Sequence, residues 1–207
     1  MLPTRIRAIV FDFGGVLIDW NPRYLYRKLF PGTDTAMERF LAEIGFTEWN
    51  QQQDAGRAFS LAVTELVKRF PSYADLIRAY DERWEESIAG PLQGTVDLLL
   101  PLQQAGLELH GLSNWSSEKF AAVRSKYSFF QLFATILLSG DVKLIKPDPR
   151  IFQALLERIG RSAGECLFID DSEENISTAR SLGFEAIRFA SPEQLRRELR
   201  HRGLLPR

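Results

Sequence analysis

Cysteine, histidine and long apolar runs are scarce in this chain of 207 residues, which has one cysteine and two histidines. The single cysteine, Cys166, excludes an internal disulfide framework and fits a reducing compartment. No run approaches the roughly 18–20 apolar residues that cross a bilayer. The apolar run at residues 6–11 contains Arg7 and ends at Asp12, unlike a secretory signal. We therefore expect a cytoplasmic protein.

An excess of charge of either sign is also missing. Lysine and arginine total 26, aspartate and glutamate total 27, and the formal net charge is −1. No overall field therefore attracts nucleic acid or an anionic membrane. The arginines within residues 196–202 have no interleaved aromatic residues, which is typical of a solvated helix face. We expect no nucleic-acid or membrane partner, and either a monomer or a small homo-oligomer.

Five short apolar runs alternate with helical segments along the chain. The first, residues 6–11, is followed by Gly14-Gly15, as a buried strand is before a tight turn. The other runs lie at residues 107–112, 134–138, 166–169 and 184–189. Asp148-Pro149 is one of the helix-start signals between them. The alternation predicts an α/β fold with a doubly wound, parallel, Rossmann-like sheet.

One long stretch breaks this alternation. Between about residues 19 and 90 the pattern shows no convincing strand, only helical segments at residues 24–30, 59–70 and 74–88. We predict an all-helical insertion between the first strand and the rest of the sheet.

The polar residues that follow the strands lie at the edge where parallel sheets bind ligands. They are Asp12, Gly14 and Gly15 after the first strand, Ser113 and Asn114 after the second, Lys143, Lys146 and Asp148 after the third, and Asp170, Asp171, Ser172 and Asn175 after the fourth. A carboxylate can attack phosphorus and form an aspartyl-phosphate. Two carboxylates and a backbone carbonyl suit Mg²⁺, while a lysine and a hydroxyl can hold phosphoryl oxygens. These residue types together predict phosphoryl transfer.

Four ordered segments resemble the motifs of the haloacid dehalogenase (HAD) superfamily. They are Phe11-Asp12-Phe13-Gly14-Gly15-Val16-Leu17, Leu112-Ser113-Asn114, Lys146-Pro147-Asp148 and Phe168-Ile169-Asp170-Asp171-Ser172. The helical insertion is similar to the cap that covers the active site in the α-glucose-1-phosphatase-like and haloacid-dehalogenase-like group. The resemblance implies a HAD-type catalytic core at residues 1–17 and 91–207, with a small all-helical cap domain at residues 18–90.

The resemblance also implies a role for each matching residue. The implied catalytic residues are the nucleophile Asp12, the phosphoryl-oxygen ligand Ser113 and the charge clamp Lys146. The implied Mg²⁺ ligands and their supports are Asp12, Gly14 through its carbonyl, Asp171, Asp170 and Asn175. The implied substrate-binding residues of the core are Asn114, Gly14 and Gly15. We expect Lys143 to be the exposed lysine of its pair, and Cys166, His110 and His201 to be structural.

Gly14 departs from the family pattern, because most HAD phosphatases carry there a second aspartate that protonates the leaving group. General acid catalysis contributes about 10²–10⁴-fold, so its loss must be compensated. The substrate could have a good leaving group, such as an anomeric sugar phosphate, or the cap could supply an acid. Alternatively, Asp12 could displace halide from a 2-haloacid, which needs no leaving-group proton.

The fourth motif favours the phosphatase over the dehalogenase. Asp170 and Asp171 place two carboxylates near Asp12, and such crowding is costly without a cation. We therefore expect a Mg²⁺-dependent phosphatase acting on a small phosphorylated metabolite, with a 2-haloacid dehalogenase as the alternative. A non-catalytic homologue that binds a phosphorylated ligand or a protein is a further alternative, although the retained nucleophile argues against it.

A polar and aromatic patch in the insertion could select the substrate. It consists of Trp49, Gln52, Gln53, Asp54 and Arg57. We expect Arg57 and Trp49 to bind substrate, since an arginine can hold either a phosphate or a carboxylate. A solvated turn between helices is the other interpretation of this patch.

Overall fold

A parallel sheet of five strands forms the centre of the computed structural model, which describes residues 6–30, 32 and 34–205. The described residues form seven strands, of which five belong to this sheet. They are β1 (Ala8–Phe11), β2 (Ile18–Trp20), β3 (Ile88–Pro91), β4 (Glu108–Ser113), β5 (Thr135–Leu138), β6 (Cys166–Asp170) and β7 (Glu185–Arg188). The central sheet has the order β5-β4-β1-β6-β7, so β1 lies in the middle. Every pair in it is parallel. The predicted sheet is confirmed.

The described part of the chain contains eleven α-helices. They are α1 (Pro22–Tyr26), α2 (Asp34–Glu43), α3 (Phe46–Asp54), α4 (Phe59–Arg69), α5 (Ala74–Glu82), α6 (Gln93–Gln104), α7 (Ser117–Val123), α8 (Ser139–Val142), α9 (Pro149–Ile159), α10 (Glu173–Ser181) and α11 (Pro192–His201). Asp148 caps α9 by accepting a hydrogen bond from the Arg150 N–H, as its Asp-Pro sequence predicted.

Both faces of the sheet are covered by helices. Ile9 and Phe11 point into one apolar cluster, with α6 and α11. Ala8 and Val10 point into a second cluster, with α9 and α10. Alternate residues of a strand face opposite sides, so a strand that is apolar throughout must be buried on both. This α/β architecture is the one expected from the sequence.

Helices α1 to α5 form a separate layer, here called the cap, between β2 and β3. The cap packs around aromatic rings: Tyr26 lies 5.0 Å from Phe40, and Phe46 lies 4.9 Å from Tyr80, centroid to centroid. No helix among the described residues is long and apolar enough to cross a membrane.

The prediction that residues 19–90 contain no strand was wrong at its two ends. β2 and β3 pair as an antiparallel ribbon that joins the cap to the sheet. The sequence pattern does not reveal these strands, because β2 has only three residues and β3 contains Gly90 and Pro91, which are unfavourable in strands. The insertion is therefore helical apart from this ribbon.

Candidate active site

The carboxyl ends of β1 and β4 place a carboxylate and a hydroxyl side by side. Asp12 directly follows β1, and Ser113 is the last residue of the neighbouring β4. The Ser113 hydroxyl donates to Asp12 Oδ1 at 2.8 Å, and the Phe13 N–H donates to the same oxygen at 2.7 Å. These contacts orient the Asp12 carboxylate at the sheet edge.

Lys146 is buried between the carboxylates of this edge, with its side chain 1% exposed. Its Nζ lies 3.0 Å from Asp12 Oδ1 and donates to Asp170 Oδ2 at 2.6 Å and to the Leu112 carbonyl at 2.9 Å. Burial opposes its charge, but the two carboxylates outweigh this effect and raise the pKa of Lys146. Lys143, by contrast, is exposed as expected.

Asn114 positions the loop that carries Lys146. Its side-chain amide donates to the Lys146 carbonyl at 3.0 Å and accepts from the Lys146 N–H at 2.8 Å. Asn114 also lines the cleft above Asp12. Both ends of its amide are bonded to the lysine loop, and its contact with substrate stays a prediction.

Three carboxylates meet at one point. Asp12, Asp170 and Asp171 each present an oxygen within 4.8 Å of the others. Asp170 is fully buried and accepts from Lys146, from Asn175 Nδ2 at 3.0 Å and from the Ser172 N–H at 2.8 Å. Asn175 therefore orients Asp170 with its amide nitrogen.

These oxygens fit a hard divalent cation. Three carboxylates face one lysine, which leaves a local excess of negative charge that a cation would balance. Burial, and after it the charge of Asp170, raise the pKa of Asp171. Burial likewise raises the pKa of Asp12 to about 7, although Lys146 lowers it. A cation beside them would favour the charged forms of both. Asp12, Asp170 and Asp171 present the oxygens that would hold it.

The two glycines after Asp12 differ in what they require. Gly15 has a φ of +73°, and a Cβ there would lie 2.5 Å from Asp171 Oδ2, so a side chain would push into the carboxylate cluster. A Cβ at Gly14 would meet no heavy atom within 4 Å. Position 15 therefore requires glycine, whereas position 14 has free space where a Cβ would lie.

The cap covers this edge and forms a cleft of about 620 Å³. From the core, Asp12, Gly14, Gly15, Ser113, Asn114 and Asp171 line it. From the ribbon and cap, the polar or aromatic lining residues are Trp20, Arg23, Glu38, Phe46, Thr47, Asn50, Gln51 and Asp54. Arg23 and Glu38 form a two-point ion pair, with contacts of 2.5 and 2.7 Å.

The structure does not place Trp49 and Arg57 in this cleft. Trp49 is 6% exposed, packs inside the cap and donates its Nε1–H to the Ala62 carbonyl at 3.3 Å. Arg57 pairs with Glu65. Both residues line a different depression on the cap. Their predicted contact with substrate therefore finds no support in the lining of this cleft.

Sequence reasoning did not single out Asn50, and it named Asp54 only as part of the cap patch. The signal that could have found them is helical spacing, because Thr47, Asn50, Gln51 and Asp54 follow the i, i+3, i+4, i+7 pattern of one helix face. Both interpretations of the patch place it between helices, so this periodicity was not applied. Cys166 and His110 are buried as expected, and burial raises the pKa of the Cys166 thiol to about 12.

Comparison with known proteins agrees with this geometry. A family model described as haloacid dehalogenase-like hydrolase matches residues 6–183. A magnesium complex of the HAD family enzyme bt-2542 from Bacteroides thetaiotaomicron superimposes with a TM-score of 0.73 at 25% identity, covering 94% of this chain and 98% of that one.

Curated relatives include both kinds of chemistry. The sesquiterpene phosphatase astK of Aspergillus oryzae is 24% identical, over 95% of this chain and 96% of that protein. The (S)-2-haloacid dehalogenase 4A of Burkholderia cepacia is 25% identical, over 89% and 83%. Drimenol cyclase drtB of Aspergillus calidoustus is 26% identical over 94% of this chain, which spans 36% of the cyclase.

Proposed function

This chain belongs to the haloacid dehalogenase-like hydrolases, and on that basis we propose that it is a Mg²⁺-dependent phosphatase of small phosphorylated metabolites. The observation that carries the proposal is the cluster of Asp12, Asp170 and Asp171 around the single buried Lys146. Attack on carbon needs no metal, and a site without one has no use for this much negative charge.

The comparisons support the same choice. Relatives named as phosphatases cover nearly all of the chain, and a structural neighbour was obtained with magnesium and inorganic phosphate. That neighbour is 23% identical, so it supports the fold, while the donor set in this chain supports the ion.

The residues of the chain divide the work of phosphoryl transfer. An Asp12 carboxylate oxygen attacks phosphorus and forms an aspartyl-phosphate, which water then hydrolyses. Lys146 neutralises charge on the transferring oxygens, and the Ser113 hydroxyl turns from Asp12 to hold one of them. When bound, Mg²⁺ supplies charge neutralisation for the phosphoryl oxygens.

The cleft suits a small polar substrate. The cleft is lined by hydrogen-bonding side chains of the cap, such as Thr47, Asn50 and Gln51, beside the apolar Leu41, Ala42 and Phe46. Its volume of about 620 Å³ is in the usual range for a metabolite site. A sugar 1-phosphate is the first substrate to test, because an anomeric leaving group depends less on a proton donor.

The deciding experiment is a screen of phosphorylated metabolites with Mg²⁺, run beside 2-chloropropionate with chloride detection. We expect phosphate release that stops on chelation and that Asp12→Asn abolishes. Chloride release that survives chelation would instead establish the dehalogenase, which Gly14 and the similarity to dehalogenase 4A favour. Tight binding of phosphorylated ligands without turnover of any would establish a binding protein.

A further inference from the structure

The open space beside Gly14 is shared with one carboxyl group of the cap. A hollow of about 60 Å³ adjoins the cleft, and Gly14 and Asp54 line both. The other residues lining the hollow are Trp20, Asn50, Phe59, Trp84, Asn114, Trp115 and Ser116. Among these described lining residues, Asp54 alone carries a carboxyl group. The cap thus offers a carboxyl on the wall of the hollow that Gly14 also lines.

We propose that Asp54, the last residue of α3, is the leaving-group acid of this active site and takes the place of the side chain that Gly14 lacks. The proposal rests on the phosphatase function proposed above. It is carried by the position of Asp54, by the contacts that fix it there and by the free space at Gly14.

The first argument is that the backbone around Asp54 is docked on the catalytic core. The Ser139 hydroxyl donates to the Asp54 carbonyl, and the Trp115 N–H donates to Ser139 Oγ at 2.9 Å. Ser139 begins α8 beside the sheet and is fully buried. Although Asp54 belongs to the cap, its main chain is held by the same core edge that carries Asp12.

A close approach of two glycines completes this docking. A Cβ at Gly56 would lie 2.8 Å from the Gly140 carbonyl, and Gly56 has a φ of +92°. A Cβ at Gly140 would lie 2.7 Å from the Ser117 nitrogen. The turn after α3 therefore reaches the Gly140 carbonyl only because Gly56 lacks a side chain, while the lack of one at Gly140 lets α8 pack against Ser117 within the core.

The second argument is that donors orient the Asp54 carboxyl. Asn50 Nδ2 donates to Asp54 Oδ2 at 3.1 Å, and the buried Tyr80 hydroxyl donates to Asn50 Oδ1 at 2.9 Å. Burial raises the pKa of Asp54 to about 7. A backbone hydrogen bond from Ser116 lowers this pKa, and the negative charge of Asp12 raises it further. A carboxyl in such surroundings can carry a proton near neutral pH, as an acid catalyst must.

In the proposed reaction, Asp54 donates one proton in the first step and recovers one in the second. As Asp12 attacks, the bond between phosphorus and the ester oxygen breaks, and that oxygen keeps the electron pair and takes the proton of Asp54. The products are a free alcohol, the aspartyl-phosphate and an Asp54 carboxylate. Water then attacks phosphorus and gives a proton to Asp54, which restores the acid and releases Asp12 and inorganic phosphate.

The test compares Asp54→Asn with wild type on phosphate monoesters whose leaving groups differ in basicity. We expect a loss of about 10²–10⁴-fold in kcat/KM, which reports phosphoryl transfer to Asp12, on an alkyl phosphate, and a loss below about tenfold in kcat/KM on 2,4-dinitrophenyl phosphate, whose leaving group needs no proton. Asp75→Asn is the matched control, since Asp75 is an exposed cap carboxylate that pairs with Arg78.

A second variant distinguishes loss of the acid from loss of cap docking. Gly14→Asp fits the space beside Asp12, so in the Asp54→Asn background it should restore alkyl phosphate turnover. An equal loss on both esters that Gly14→Asp leaves unrepaired would overturn the role of Asp54. Absence of turnover of any ester by the wild-type chain with Mg²⁺ would instead overturn the proposed function, and this inference with it.

Discussion

Replacing Lys146 by methionine should remove a large part of the stability of the fold. Lys146 Nζ has three acceptors, the Leu112 carbonyl at 2.9 Å, Asp170 Oδ2 at 2.6 Å and Asp12 Oδ1 at 3.0 Å, and its side chain is 1% exposed. Methionine has a similar length and keeps the apolar contacts, so the change isolates the charge. Leaving buried carboxylates without their partner costs about 3–5 kcal/mol, compared with about 5–15 kcal/mol for a whole domain.

The assay is urea unfolding followed by circular dichroism, in the presence of a chelator so that no metal compensates. Lys143→Met is the control, because Lys143 is exposed and its loss should stay within about 0.5 kcal/mol. Adding Asp170→Asn to Lys146→Met should recover part of the loss, since one buried charge then disappears. A loss below about 1 kcal/mol for Lys146→Met would refute the view that this lysine compensates the carboxylate cluster.

Three further predictions test other parts of the molecule. Gly56→Ala should lower stability by more than Gly160→Ala. Both glycines have a positive φ, but only the Cβ added at Gly56 would meet a carbonyl, that of Gly140 at 2.8 Å. The urea midpoints of the two variants measure the difference. Burial lowers the pKa of His110, so the unfolded chain binds protons more readily and the free energy of unfolding should fall below about pH 6.5. In His110→Gln, that part of the decrease should be absent. Identical pH profiles of the unfolding free energy for the variant and the wild type would contradict this prediction. Arg57→Ala should leave KM unchanged, since Arg57 lies outside the cleft, and a raised KM would restore its predicted role.

Local sequence determined the elements that carry the core of the site. Short apolar runs that glycines stop, such as the one containing β1, indicate strands buried on both faces, and parallel strands bring their carboxyl ends to one edge. Two of the site residues, Ser113 and Asp170, end strands, and Asp12 and Asp171 directly follow strands. The sequence alone was therefore enough to predict that these four residues meet. The cytoplasmic location, the oligomeric state and the domain boundaries stay predictions.

The tertiary structure decided which face of the cap meets the core. Helical spacing groups Asp54 with Thr47, Asn50 and Gln51 on one face of α3, but it does not tell whether that face meets the core. The choice depends on the Ser139 hydroxyl, which is 85 residues away in the chain from the Asp54 carbonyl it binds, and on the contact between Gly56 and Gly140. Motifs at strand ends are fixed by the regular geometry of a sheet, whereas helix docking depends on long-range packing that no local pattern encodes.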